Sequence, residues 1–324
     1  MKLRRRTEPD LIAAIRRDFA VRRPGLVLGL GDDAAAVRPG KEPFLLTTDL
    51  LVEGSHFIRS LNPPFYLGRK SLNVNISDIA AMGGRPRYAL LGLGVPRTIP
   101  KAWLEEFFAG IRNAARERGV ALIGGDLSRS DKILISVTLV GEGKHPILRS
   151  GARARDSLFL SGFPGRAHAG FELLSKGVRF GRDKDSDVLI RAFLDPVPQV
   201  ELGSALARRG TASAMLDMSD GLSVDVLNLC RESGCGAEVE EKAIPIAAEL
   251  LRLRKSHVRD ALYGGEDYGL LFSVSASGLP AIRELARKFN LTRIGRLTRC
   301  RDIVLVKRSG RKVPFKPGGF RHLQ

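Results

Sequence analysis

The chain has 324 residues, 44% hydrophobic and 27% charged, a balance that supports folded globular units and excludes a disordered chain. No apolar run approaches the roughly 20 residues of a membrane-spanning helix, and the length suffices for two ordinary domains. The net charge of +18 favours phosphorylated or polyanionic partners, and the three cysteines form neither a disulfide framework nor a CxxC metal pattern. In chain order, "MKLRRRTEPDLIAAIRRDF" is basic but lacks the apolar core of a secretory signal, so a cytoplasmic location is expected. Residues 7–20 predict a helix with Thr7 as N-cap and Leu11, Ile12, Ile15 and Phe19 at helical spacing. After a loop containing "GLGDDAAAV", "FLLTTDLLV" predicts a strand over 44–52. Residues 65–84 read as a helix ended by glycines, 88–95 as a strand, and a further helix starts after Pro100 and runs to about Arg118. "GVALIGGDLSRS" predicts a strand followed by a loop, and "KILISVTLVGE" another strand. The pattern restarts after "HPILRSGAR" with the strand "SLFLSG", and a second series of helices and strands ends near Lys307. The expected fold class is α/β, with an α+β unit over residues 1–148 and an α/β unit over 149–324.

In so basic a chain the placement of the acids is informative. Asp32 and Asp33 lie in "GDD", Asp49 closes "FLLTTD", Asp78 falls one helical turn from Asn75, and Asp126 follows "ALIGG". Asp217 and Asp220 frame "DMSDG", and Glu266 and Asp267 lie in "GGEDY". A single Asp after a strand is ordinarily a turn or N-cap residue, and Asp220 before Leu222, Val226 and Leu229 suits an N-cap. Five such loops point instead to carboxylates gathered at strand ends, and gathered carboxylates repel unless cations neutralise them. Mg²⁺ fits, because it takes oxygen ligands, keeps waters and shares substrate phosphates. Zinc does not, since His56, His145, His168, His257 and His322 are scattered without ligand spacing. Glycines at 29, 31, 124, 125, 264 and 265 would let backbone N–H groups approach phosphate oxygens. The chemistry indicated is metal-assisted phosphoryl transfer, without a GxxxxGK[ST] loop or the protein-kinase signatures.

The ordered set "GDDAA", "TTDLLVEGSHF", "NVNISDIAAMGG", "LIGGD", "RSGA", "DMSDGLSVD" and "GGEDYGLLF" resembles the thiamine-monophosphate kinases, relatives of aminoimidazole-ribotide synthetase and selenophosphate synthetase. The resemblance implies ATP-dependent phosphorylation of thiamine phosphate by a homodimer with several Mg²⁺ ions, the N-terminal sheets pairing into a barrel and the active site lying between the domains. It implies Asp32, Thr47, Thr48, Asp49, Asp78, Asp126 and Asp217 as magnesium ligands, with Asp220 a further metal contact; the neighbouring Asp33 is left to orient the loop or to reach metal-bound water. Gly125, Arg149 and Ser219 correspond to ATP contacts, and His56, Glu266 and Phe320 to contacts with thiamine phosphate. A phosphate acceptor is already largely a dianion at neutral pH, so no general base is expected.

Two alternatives remain at this level. One is a sibling enzyme of aminoimidazole-ribotide synthetase type; selenophosphate synthetase is disfavoured because the first cysteine is Cys230. The other is a basic nucleic-acid-binding protein that has lost the reaction. Residues 293–324 hold ten Lys and Arg against the single acid Asp302, but the complete carboxylate set and the scarcity of aromatics there argue against it.

Overall fold

The computed structural model describes residues 15, 17–19, 22, 24–28, 36, 37 and 40–318. Asp32, Asp33, Phe320 and most of the helix expected over 7–20 therefore lie outside the described residues. The chain divides into two units: Met1–Asn75 with Pro86–Glu142, and Ile76–Arg85 with Gly143–Gln324. Among the described residues no helix is long and apolar enough to cross a membrane.

Unit one opens with a short antiparallel ribbon of β1 (Leu26–Leu28) and β2 (Ala36–Val37). Then follow β3 (Phe44–Val52), α1 (Pro64–Ala81), whose residues from Ile76 on belong to unit two, β4 (Arg85–Val95), α2 (Lys101–Arg118), β5 (Ala121–Arg129) and β6 (Leu134–Glu142). The four strands β3 to β6 form one sheet, in the order β3-β6-β4-β5. β3 and β6 pair antiparallel over nine residues, from Phe44 opposite Glu142 to Val52 opposite Leu134. β4 and β5 pair parallel, which requires the crossover that α2 supplies. That helix buries Phe107, Phe108, Ile111, Ala114 and Ala115 at helical spacing and stops at Gly119, whose φ of 66° is left-handed. α1 is different, because Lys70, Ser71, Asn73, Asn75 and Ser77 are buried along with its apolar residues. A polar helix is taken out of water only where its groups find partners, and Asn75 finds them on two elements.

Two expectations fail here. "LIGGD" does not end a strand: β5 continues through both glycines and Asp126 to Arg129. The glycine pair mimics a loop signal, yet at Gly125 (φ 154°) a Cβ would sit 2.0 Å from the Leu91 carbonyl oxygen on β4. The strand needs glycine there because its neighbour comes too close for any side chain. Asp49 likewise lies in the middle of β3, not at its end.

Unit two carries a seven-stranded sheet in the order β13-β12-β9-β11-β7-β10-β8. Its strands are β7 (Ser157–Ser161), β8 (Ala214–Asp217), β9 (Gly236–Glu240), β10 (Leu270–Val274), β11 (Leu291–Thr298), β12 (Ile303–Val306) and β13 (Lys312–Pro314). All pair antiparallel except β9 with β12. The helices are α3 (Arg166–Ser175), α4 (Lys184–Leu194), α5 (Val200–Arg209), α6 (Leu222–Ser233), α7 (Ala248–Leu253), α8 (His257–Tyr263) and α9 (Leu279–Leu285). Alternate residues of the central strands feed two cores. Leu158, Leu160, Leu216 and Leu271 meet Leu222, Val226 and Leu229 of α6, while Phe159, Met215, Phe272 and Val274 meet Leu202 and Leu206 of α5 and Ile282 of α9. Both sheet faces are thus covered by helices, as the apolar strands require.

The unit extends to β13, past the end expected at Lys307. Asp220 is not the N-cap of α6; Gly221 holds that position, and no side chain caps the helix there. At the other end of α6, Gly234 is left-handed and the Cys235 N–H donates to the Cys230 carbonyl at 3.0 Å. Cys230 and Cys235 are buried as the small apolar pair of this terminus, whereas Cys300 is exposed.

Candidate active site

In unit one the candidates cluster around β3 and α1. Asp49 is held through its backbone: its N–H donates to Asn75 Oδ1 at 3.1 Å, and Asn75 Nδ2 donates to the Ser71 carbonyl at 3.1 Å. Thr48 alternates to the other face of the strand, where its hydroxyl donates to the Val137 carbonyl and lies 3.2 Å from Thr138 Oγ1. His56 follows in the turn after β3, and its Nδ1 accepts the Val52 N–H at 3.1 Å. A neutral ring so placed carries its proton on Nε2, which makes that atom a donor.

Asp126 is not brought to Asp49 within this unit. β3 and β5 are the two edges of the sheet, three strand spacings or roughly 14 Å apart. The faces differ as well. Asp126 is in register with Gly92, whose pseudo-Cβ lies 3.6 Å from Ser136 Cβ, and Ser136 stands opposite Leu50. Asp126 therefore shares the face of Thr48 and Leu50, and Asp49 and Thr47 have the opposite one. Its carboxylate accepts from Ser128 Oγ at 2.9 Å.

In unit two the structure does gather acids. Asp217 ends β8, is buried, and accepts a hydrogen bond from Ser77 Oγ at 2.6 Å. Asp78 is the next residue of α1 and is half-buried. Asp225, in the first turn of α6, accepts the Gly221 N–H at 3.1 Å. Burial, and then the like charges of Asp220 and Asp217, push the Asp225 carboxyl well above the usual range. Ser77 and Asp225 were not among the sequence candidates. Their signal was present: a serine beside Asp78 on a glycine-ended helix, and an acid on the apolar stripe with Leu222, Val226 and Leu229.

The two motif loops of this unit are joined backbone to backbone. Glu266 N–H donates to the Ser219 carbonyl, Tyr268 N–H to that of Met218, and Met218 N–H to that of Gly269, each at 2.8 Å. A Cβ on Gly265 would meet the Ser219 carbonyl oxygen at 2.6 Å, so the approach depends on glycine. Glu266 and Tyr268 take positive φ values of 67° and 51°. Between them, Asp267 accepts N–H groups from Gly165 at 2.6 Å and Ala167 at 3.0 Å. Burial raises its carboxyl to about 7, against the lowering effect of those two donors and of Arg166. Arg149 is exposed, in a segment that runs beside β8, where Leu148 accepts the Met215 N–H at 3.0 Å. Its carbonyl accepts from Ser233 Oγ at 2.7 Å.

Asp217 and Ser77 lie 2.6 Å apart, and Asp220 joins Asp217 in raising the Asp225 carboxyl; such oxygen donors suit a hard cation such as Mg²⁺. Among the described residues no three His, Cys, Asp or Glu side chains are disposed to hold an ion. An ion held there takes its remaining ligands from water or phosphate, as Mg²⁺ ordinarily does.

Two parts of one family match this chain: the AIR synthase related protein N-terminal domain over residues 31–142 and its C-terminal domain over 155–307. The thiamine-monophosphate kinase of Aquifex aeolicus (strain VF5) is 36% identical over 298 residues, 90% of this chain and 92% of its own. That of Buchnera aphidicola subsp. Acyrthosiphon pisum is 35% identical over 303 residues, covering 91% and 92%. This chain belongs to the thiamine-monophosphate kinase family. The crystal structure of thiamine-monophosphate kinase from Stenotrophomonas maltophilia K279a superposes with a TM-score of 0.84 at 34% identity, over 94% of this chain and 96% of that one. AaThiL complexed with AMPPCP and TMP superposes with a TM-score of 0.79 at 33% identity, over 100% and 99%. The hydrogenase maturation protein HypE, at 20% identity and a TM-score of 0.78, shares the fold. The kinase family thus has the two-domain architecture, helices and sheet in each, that the motif series implied.

Proposed function

We propose that this chain transfers the γ-phosphoryl group of ATP to thiamine monophosphate, giving thiamine diphosphate and ADP. The observation that carries the reading is its likeness, along the whole chain, to a relative complexed with AMPPCP and TMP. Asp49, Thr47, Thr48 and Asp126 of unit one, and Asp78, Asp217 and Asp220 of unit two, are the proposed magnesium ligands, together with Asp32. Bound Mg²⁺ supplies the charge neutralisation that lets two polyanions react. Gly125, Arg149 and Ser219 contact ATP, the Arg149 guanidinium offering a fixed fork to its phosphates. His56 donates from Nε2 to the acceptor, and Glu266 and Phe320 contact the thiamine portion. The attacking oxygen belongs to a phosphate monoester whose second pKa is about 6, so it arrives deprotonated and needs no base.

We further propose that the protein works as a cytoplasmic homodimer. Support for pairing comes from the sheet face of unit one that carries Leu46, Leu50 and Leu90, which are 70%, 53% and 38% exposed. The test of the reaction is to incubate purified protein with ATP, Mg²⁺ and thiamine monophosphate and to measure thiamine diphosphate. Product is expected with that acceptor and not with unphosphorylated thiamine; no product from either acceptor overturns the reading.

A further inference from the structure

Asp267 takes no part in the reaction as proposed, yet the turn around it is unusually constrained. Of the three described non-glycine residues with positive φ, two are its immediate neighbours, Glu266 and Tyr268. Side chains rarely adopt that backbone, and it persists only where the surroundings over-determine it. One side of the turn is fixed by the backbone hydrogen bonds to Met218 and Ser219. Asp267 ties the turn to α3: one carboxylate oxygen accepts the Gly165 N–H and the other the Ala167 N–H. These are groups at the N-terminus of α3, whose own N-cap is Gly165 at φ 88°, with no side chain to offer. The helix start thus receives its capping carboxylate from a residue about one hundred positions away, and the exchange holds both partners. Arg166, between the two donors, is taken by Glu249 and so does not draw the Asp267 carboxylate away.

We propose that Asp267 is a positioning residue: by clamping the strained turn to the start of α3 it aims Glu266 at the thiamine portion of the substrate. The inference rests on the reading of Glu266 as a substrate contact. In its ionised form the aspartate offers an acceptor on both oxygens, whereas asparagine would turn an NH₂ group toward a backbone N–H.

The test is a kinetic cycle of wild type, Asp267→Asn, Glu266→Gln and the double variant, with Asp267→Glu as the conservative control. Asp267→Asn is expected to raise KM for thiamine monophosphate about tenfold, with KM for ATP unchanged. In the Glu266→Gln background the same change is expected to add little, because two residues that act as one unit are not additive. Asp267→Glu is expected to recover part of the loss. Additive effects, or an unchanged KM in Asp267→Asn, overturn the proposal. Should the variants fail to fold, amide hydrogen exchange on the wild type still decides. Gly165 and Ala167 are expected to open together with residues 264–268 and to be slowed together by thiamine monophosphate; independent opening overturns the clamp. If wild type makes no thiamine diphosphate, the functional reading fails first and the aim at substrate with it, while concerted exchange separately reports whether the clamp exists.

Discussion

Asp217, a proposed magnesium ligand, shows what burial does to a carboxylate. It sits at the end of an apolar strand with a serine hydroxyl 2.6 Å away and acidic neighbours beyond, an arrangement that is costly without a cation. Where a carboxylate serves as a ligand, its amide isostere should fold and fail. Asp49→Asn and Asp78→Asn are each expected to lower thiamine diphosphate formation by about a hundredfold or more, with an unchanged circular dichroism spectrum; near-wild-type turnover in either would remove that residue from the site. Glu172 of α3 plays a purely structural part. The Arg254 guanidinium, hydrogen-bonded to it, and then Lys176 hold its carboxyl at about 2 against an ordinary 4.5. A depressed carboxyl contributes stability that is present above its ordinary pKa and lost as the pH falls toward 2. Partial solvent exposure keeps the contribution to about 1 kcal/mol or less, and Glu172→Gln should flatten the melting-temperature profile between pH 4.5 and 2. Residue types were legible in the sequence, because acids in a basic chain stand out. Partners were not: nothing adjacent to Asp267 announces that α3 begins against it.

Among the elements, periodicity served well where one structure could satisfy it. Phe44–Val52 and Lys101–Arg118 form where alternation and helical spacing put them. In β5, Gly124 and Gly125 have two physical explanations, a loop that turns or a strand whose neighbour approaches closely, and only the pairing with β4 distinguishes them. The same local ambiguity displaced Asp220 from the N-cap of α6. The open face of β3 leads to an outcome at this scale. Leu46 and Leu50 project from it with the partner strand of the same sheet already in place on one side only, and large apolar side chains so exposed mark an interface. The double variant Leu46→Arg, Leu50→Arg is expected to elute as a monomer in light-scattering chromatography while wild type elutes at twice that mass. A wild-type monomer would end the dimer reading.

For the molecule as a whole, the charge of +18 is less lopsided in space than along the chain. Residues 293–324 hold ten basic side chains and one acid, yet β9 brings Glu238 to Arg296 and Lys312 and Glu240 to Arg293, and Glu241 just after the strand pairs with Lys307. Exposed pairs of this kind add little stability, but they mask the field that a count of residues suggests. Ligand linkage acts on the entire fold. Mg²⁺ with a non-hydrolysable ATP analogue is expected to raise the melting temperature, by about 2.7 kcal/mol of stabilisation at a hundredfold excess over Kd, and chelation by EDTA should reverse it. Absence of any shift would speak against nucleotide binding by the native state. The sequence alone determined the chemical inventory: the acids, the glycines beside them, the order of the motifs and most helix and strand positions, because these depend on side-chain type and short-range period. Tertiary structure decided which acids meet. Asp49 and Asp126 part company across four strands, while Asp217, Asp220 and Asp225 converge, and Asp267 finds α3. Strand order and loop-to-helix contacts join residues far apart in the chain, and no local pattern encodes a distance of that kind.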